Sequence, residues 1–168
     1  MKEERAATHG DLDKAAPAAS DARTVLLVED DPDHEELIRR ALHDRDASVD
    51  LRVTRHGEEA LDYLLRRGVW ADAARSPRPR LVLMDLRLPR LDGFHVLGAI
   101  KSAPRLRCIP VVVLTTSQSE PDVAQAYAAH ANSYLVKPAD FTQLTDLLDG
   151  VARYWLRLNR QPVTPGPS

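Results

Sequence analysis

The sequence predicts an α/β fold, a doubly wound five-stranded parallel sheet in a single domain, and three observations carry that prediction. Short apolar runs recur along the chain, at Val25-Leu26-Leu27-Val28, Leu81-Val82-Leu83-Met84 and Val111-Val112-Val113-Leu114, with helical patterns between them. That alternation is the sequence form of βαβ units. Each run also ends in polar chemistry, in Glu29-Asp30-Asp31, Asp85 and Thr115-Thr116-Ser117, and a shorter run, Tyr134-Leu135-Val136, ends in Lys137-Pro138. Ligands of open α/β sheets collect at the carboxyl ends of the strands. Finally, 168 residues at 43% hydrophobic suffice for one buried core and fall short of two ordinary domains.

The elements follow in order. Residues 1–22 mix Ala, Asp, Lys, Glu and Pro with almost no large apolar side chains, so they are expected to form a flexible tail before a domain over 23–158. After the first strand, Asp31 is placed to cap a helix with Pro32 at its first position, and Leu37, Ile38, Ala41 and Leu42 form one apolar stripe. Residues 49–53 alternate apolar and polar side chains, as an edge strand does. A second helix is expected over 58–67 with Ala60, Leu61, Leu64 and Leu65 inward. Residues 68–80, broken by Ser76-Pro77-Arg78-Pro79, read as a long exposed connection.

A third helix over 94–102 presents Phe94, Leu97 and Ile100, and Pro110 precedes the fourth strand. The fourth helix, 121–130, offers only Val123, Ala124, Tyr127 and Ala128 to a core, so weak anchoring is expected. The fifth is its opposite. Asp140 and Gln143 make a capping-box-like start, and Leu144, Leu147, Leu148, Val151, Trp155 and Leu158 continue a stripe. Residues 159–168 read as a frayed tail.

A net charge of -2 gives no basic field for nucleic acid or an anionic membrane. The lone Cys108 excludes an internal disulfide, and with no apolar stretch near the roughly 20 residues of a membrane span, a cytoplasmic location is expected. The six histidines lack metal-ligand spacing and are expected at the surface. Arg78, Arg80, Arg87 and Arg90 read equally as a basic rim for a phosphorylated partner or as a solvated face.

Glu29, Asp30 and Asp85 at one sheet edge would repel one another and raise each other's pKa unless a cation intervenes. An oxygen-only donor set with room for water suits Mg²⁺. Lys137 adds a point charge and Thr115 a hydroxyl, which together supply the parts for phosphoryl transfer onto a carboxylate.

This order of residues, with Pro89 and Asp92-Gly93 after Asp85, resembles the receiver domain of two-component response regulators over most of residues 24–158. The resemblance implies flavodoxin-like receiver topology, Asp85 as phosphoacceptor, and Asp30, Glu29, Asp85 and the backbone carbonyl of Arg87 around Mg²⁺. It also implies that Thr115 and Lys137 contact the phosphoryl group, that Tyr134 swings inward with Thr115, and that the Lys137-Pro138 bond is cis. The long 68–80 connection, the stretch from Ser102 through Pro110 to Ser117, and Tyr154-Trp155-Leu156 are similar to single-domain regulators serving phytochrome-type sensor histidine kinases. A homodimer through the fourth-helix, fifth-strand and fifth-helix face, or through the fifth helix end, is expected from Val136, Tyr154, Trp155 and Leu158. With few residues after the fifth helix, output is expected through contact or phosphate relay.

Two rival readings weigh against this one. A Mg²⁺-dependent aspartate-nucleophile phosphatase would want a second acid two residues after Asp85, where Arg87 stands. A receiver-shaped interaction module that is never phosphorylated would leave the convergence of Glu29, Asp30, Asp85, Thr115 and Lys137 unexplained.

Overall fold

The computed structural model describes residues 23–162; the expected N-terminal tail and residues 163–168 lie outside the described residues. Five strands, β1 (Arg23–Val28), β2 (Val49–Thr54), β3 (Leu81–Met84), β4 (Val111–Thr115) and β5 (Ser133–Val136), form one parallel sheet ordered β2-β1-β3-β4-β5. Burial on both faces explains the near-continuous apolar runs of β1, β3 and β4. Alternate side chains feed two cores. Leu26, Val28, Val82, Met84, Val111 and Val113 pack under α2 (Gly57–Leu65), α3 (Gly93–Ser102) and α4 (Glu120–Ala128). Val25, Leu27, Leu81, Leu83, Val112 and Leu114 pack under α1 (Pro32–Arg45) and α5 (Phe141–Ala152). β2, as expected, is an edge strand, with only Thr54 fully buried.

Helix starts follow the sequence. Asp31 caps α1 by accepting from the amides of Asp33 (2.8 Å) and His34 (3.3 Å), Asp92 caps α3 through His95, and Asp140 caps α5 through Gln143. The α2 cap is less obvious: His56 Nδ1 accepts from the Glu59 amide at 3.2 Å. Inward faces needed several corrections. Tyr63, not Leu65, fills the α2 contact, because its hydroxyl can be buried by donating to the Pro77 carbonyl at 2.8 Å. On α4, Ala126 is the one buried residue, while Tyr127 is half exposed. A helix whose apolar residues are mostly alanine gives periodicity little to discriminate.

The 68–80 connection is folded rather than exposed throughout. It opens with a 3-10 turn at Gly68–Trp70, and Trp70 meets Tyr63 edge-on with ring centroids 5.1 Å apart. Buried Ser76 donates within the loop to Trp70 and Asp72 carbonyls, and Arg78 turns inward onto the Leu64 carbonyl at the end of α2. These bonds satisfy polar groups that a buried loop would otherwise leave unpaired. Of the two readings of the arginines, the solvated face fits Arg87 and Arg90, which are exposed beside Asp122 and, at 3.8 Å, Glu58, while Arg78 turns inward and belongs to neither.

Past Ala152 the last helix widens into a π-helical segment, Arg153–Leu158, where the Asn159 amide bonds back five residues to Tyr154. Each π turn takes one more residue than an α turn, so the apolar stripe slips. Leu156 is buried where Leu158 was expected, and Leu158 is exposed.

Candidate functional site

Register brings the site together. Val28 pairs with Met84 and Thr115 with Val136, so Glu29 and Asp85 leave neighbouring strands side by side, and Lys137 follows β5 next to Thr115. The Asp85 amide donates to the Val28 carbonyl and the Lys137 amide to the Thr115 carbonyl at 2.7 Å, which ties all four positions to the sheet. Gly93 is fixed by the same packing. A Cβ there would lie 2.6 Å from the Asp85 carbonyl oxygen and 2.7 Å from the Leu86 Cα, so only glycine lets α3 start so close behind Asp85.

Lys137 is the hub. Its side chain, 5% exposed, places Nζ 2.6 Å from Glu29 Oε2 and 2.8 Å from Asp85 Oδ2. Asp85 Oδ1 accepts from the Arg87 amide at 3.1 Å, and Glu29 Oε1 from the Asp31 amide at 3.2 Å. Burial pushes the Asp85 pKa up, but the hydrogen bond and charge of Lys137, with the Arg87 amide and Thr115 hydroxyl, hold it below the ordinary range. Glu29 goes the other way, raised by burial that Lys137 only partly offsets. The Lys137 pKa is raised despite burial, because both carboxylates favour its charge. The Asp85 carboxylate is thus kept ionised and hydrogen-bonded in place.

Thr115 is fully buried at the end of β4. Tyr134 is partly buried against the α2–α4 core, its hydroxyl donating to the Ser117 carbonyl at 3.1 Å, so the aromatic already lies inward. Asp30 is exposed at the rim. The expected cis bond before Pro138 is not found: the described peptide bonds are all trans, the state that X–Pro favours by about 0.5–1 kcal/mol. Lys137 is aimed by its backbone bond to Thr115 instead.

Two participants escaped the sequence. His34, expected to be incidental, places Nδ1 3.2 Å from Lys137 Nζ and 3.7 Å from Glu29 Oε1. One helical turn after the acidic loop, an α1 residue at that position faces the loop. Asp122, in the first turn of α4, accepts at Oδ2 from both Arg87 (2.8 Å) and Ser117 Oγ (2.6 Å).

The donor set fits a hard divalent cation. Glu29 and Asp85 set two carboxyl groups against the single buried positive charge of Lys137, and Asp30 adds a third, exposed in the loop after β1. Among the described residues no three His, Cys, Asp or Glu side chains close into a metal cage. An incomplete oxygen site suits a cation that retains water and waits for phosphate oxygens.

The response regulator receiver domain family matches residues 25–149, and the chain belongs to it: a receiver domain, and hence a signalling protein switched by phosphorylation. The chain is 47% identical to the Probable methanogenesis regulatory protein FilR2 of Methanothrix harundinacea, over 89% of this chain and 92% of that one. Among solved structures, the phosphorylated cyanobacterial phytochrome response regulator RcpA superimposes with a TM-score of 0.78 at 40% identity, covering 83% of this chain and 98% of that one. The Mn²⁺-bound form of response regulator Rcp1 does so with a TM-score of 0.76 at 38% identity, covering 84% and 99%. Receiver domains of this kind bind a divalent metal.

Proposed function

We propose that Asp85 accepts a phosphoryl group from a phosphohistidine of a sensor histidine kinase, with Mg²⁺ held by Glu29, Asp30, Asp85 and the Arg87 backbone carbonyl. The carrying observation is the buried Asp85 carboxylate, ionised and held by Lys137 at 2.8 Å at the mouth of a parallel sheet. Its oxygen attacks phosphorus while the bond from phosphorus to imidazole nitrogen breaks and the imidazole regains its proton. Mg²⁺ supplies charge that spreads over the phosphoryl oxygens. Lys137 and the Thr115 hydroxyl clamp those oxygens, and Tyr134 follows Thr115. The chain turns over no separate substrate in this reading. Its product is its own modified state.

The kinase is of the phytochrome type, a reading supported by the likeness to RcpA. Exposed Tyr127, Val136, Tyr154 and Leu158 support a homodimer through the α4, β5 and α5 face or the π-helical end. The protein acts in the cytoplasm, away from membrane and nucleic acid. No helix among the described residues is long and apolar enough to cross a membrane.

Intact-protein mass after incubation with acetyl phosphate and Mg²⁺ tests the acceptor. One added phosphoryl group is expected on the wild type, none on Asp85→Asn, and none with chelator. An adduct that persists on Asp85→Asn would move the acceptor elsewhere. Sedimentation that shows only monomer, with and without the phosphoryl group, would refute the dimer.

A further inference from the structure

The carboxylate of Asp122 is committed to an unusual task. An acidic residue at the third helical position ordinarily reaches back to the N-cap amide, closing a capping box. In α4 the N-cap is Ser119, whose side chain makes no cap bond and whose amide donates to Ser117 Oγ at 3.3 Å. Asp122 is thereby left to reach across to another loop. Its side chain is only 14% exposed, and Oδ2 alone receives both the Arg87 guanidinium at 2.8 Å and Ser117 Oγ at 2.6 Å.

Each donor stands in a loop that leaves the sheet at the site. Arg87 stands two residues after Asp85 and gives it a backbone amide; Ser117 stands two residues after Thr115, and its carbonyl holds Tyr134. One carboxylate thus pins the loops after β3 and β4 to each other and to the first turn of α4. Since α4 buries Ala126 and little else, this polar clamp adds to what seats it.

We propose that Asp122 is a positioning residue for hydrolysis of the acyl phosphate, an assignment that rests on Asp85 being the acceptor. In that step a water oxygen bonds to phosphorus from the side opposite the Asp85 oxygen. The bond from phosphorus to that oxygen breaks, its electron pair returns to the carboxylate, and a water proton leaves to solvent. In this proposal the water comes through the mouth, past the Arg87 and Ser117 side chains that Asp122 holds together. Displacing α4, by mutation or by a partner, opens this gate and shortens the life of the signal.

The test loads wild type, Asp122→Ala, Arg87→Ala and the double variant with acetyl phosphate and Mg²⁺, removes the donor by desalting, and follows loss of the adduct by intact mass. Each single variant should lose phosphate about 3- to 10-fold faster, and the double no faster than the faster single, as for partners in one interaction. Hydrogen exchange on the unphosphorylated proteins adds a second readout, with faster exchange over residues 117–123 expected in Asp122→Ala. Decay equal to wild type in Asp122→Ala, or effects that multiply in the double variant, would overturn the assignment. A wild type that takes no phosphate, while Asp122→Ala still loosens residues 117–123, would instead refute the acceptor reading and leave the clamp purely structural.

Discussion

α4 and α5 flank the same two strands and are built in opposite ways. α5 sends Leu144, Thr145, Leu148 and Val151 into the core, continues through Leu156, and starts on an Asp140 side-chain cap. α4 sends in Ala126 alone and starts on a serine with no side-chain cap. Buried apolar contact is therefore concentrated on the α5 side of the sheet and sparse on the α4 side. On the proposed reading, a phosphoryl group on Asp85 has α4 as the element that costs least to move.

The contrast can be broken most directly in the core. Leu148→Ala should cost about 2–5 kcal/mol, whereas Ala126→Gly should cost no more than about 2 kcal/mol, lost methyl and helix propensity together. Urea denaturation midpoints compare them, and equal losses would mean that α4 is as firmly seated as α5. The caps sharpen the same point at smaller scale. Asp140→Ala should cost about 1 kcal/mol and Ser119→Ala within about 0.5 kcal/mol, because only the first removes a bond to an orphan amide. If Ser119→Ala matched Asp140→Ala, the uncapped start of α4 would be a misreading.

The smallest effect concerns how the α5 side is fastened at its far end. Asp46, at the end of α1, accepts from Ser48 and from Arg157 of the π-helical segment at 2.8 Å, and from Arg23 at 2.8 Å. The Ser48 hydroxyl first, then Arg157, hold its carboxyl well below the ordinary aspartate range. A depressed folded-state pKa gives stability that is present above the unfolded value and lost as pH falls through the folded one. Arg157→Ala should lower stability only slightly at neutral pH, as for an exposed ion pair, and not at all once Asp46 is protonated. Carbon-detected NMR of the Asp46 carboxyl checks this, and titration in the ordinary range would remove the fastening.

The same asymmetry decided what could be read from the chain. Caps, strand ends and the stripe of α5 are local signals with large side chains behind them, so Asp31 and Asp140 cap their helices and Asp85 and Lys137 meet at one sheet edge, as read from the sequence. α4 failed as a pattern for the reason that it is loosely held: alanines do not mark a face. The inward turn of Tyr63 depended on a carbonyl fourteen residues away, and the slip from Leu158 to Leu156 on a backbone widening with no residue signature. His34 beside Lys137 and Asp122 beside Arg87 are partnerships between distant segments, invisible until the sheet aligns them. His34 lies six places after the end of β1 and Asp122 seven after the end of β4, and spacing alone singles out neither.

Gly93 leaves no room behind Asp85. With the backbone of Asp85 and Leu86 packed against the start of α3 so closely that a Cβ at position 93 would not fit, the loop after β3 has no space to recoil inward. It works like an anvil. If Asp85 takes the phosphoryl group, as proposed, the push it delivers has its open side at the mouth and the β4–α4 loop. A methyl group at position 93 would displace the anvil itself.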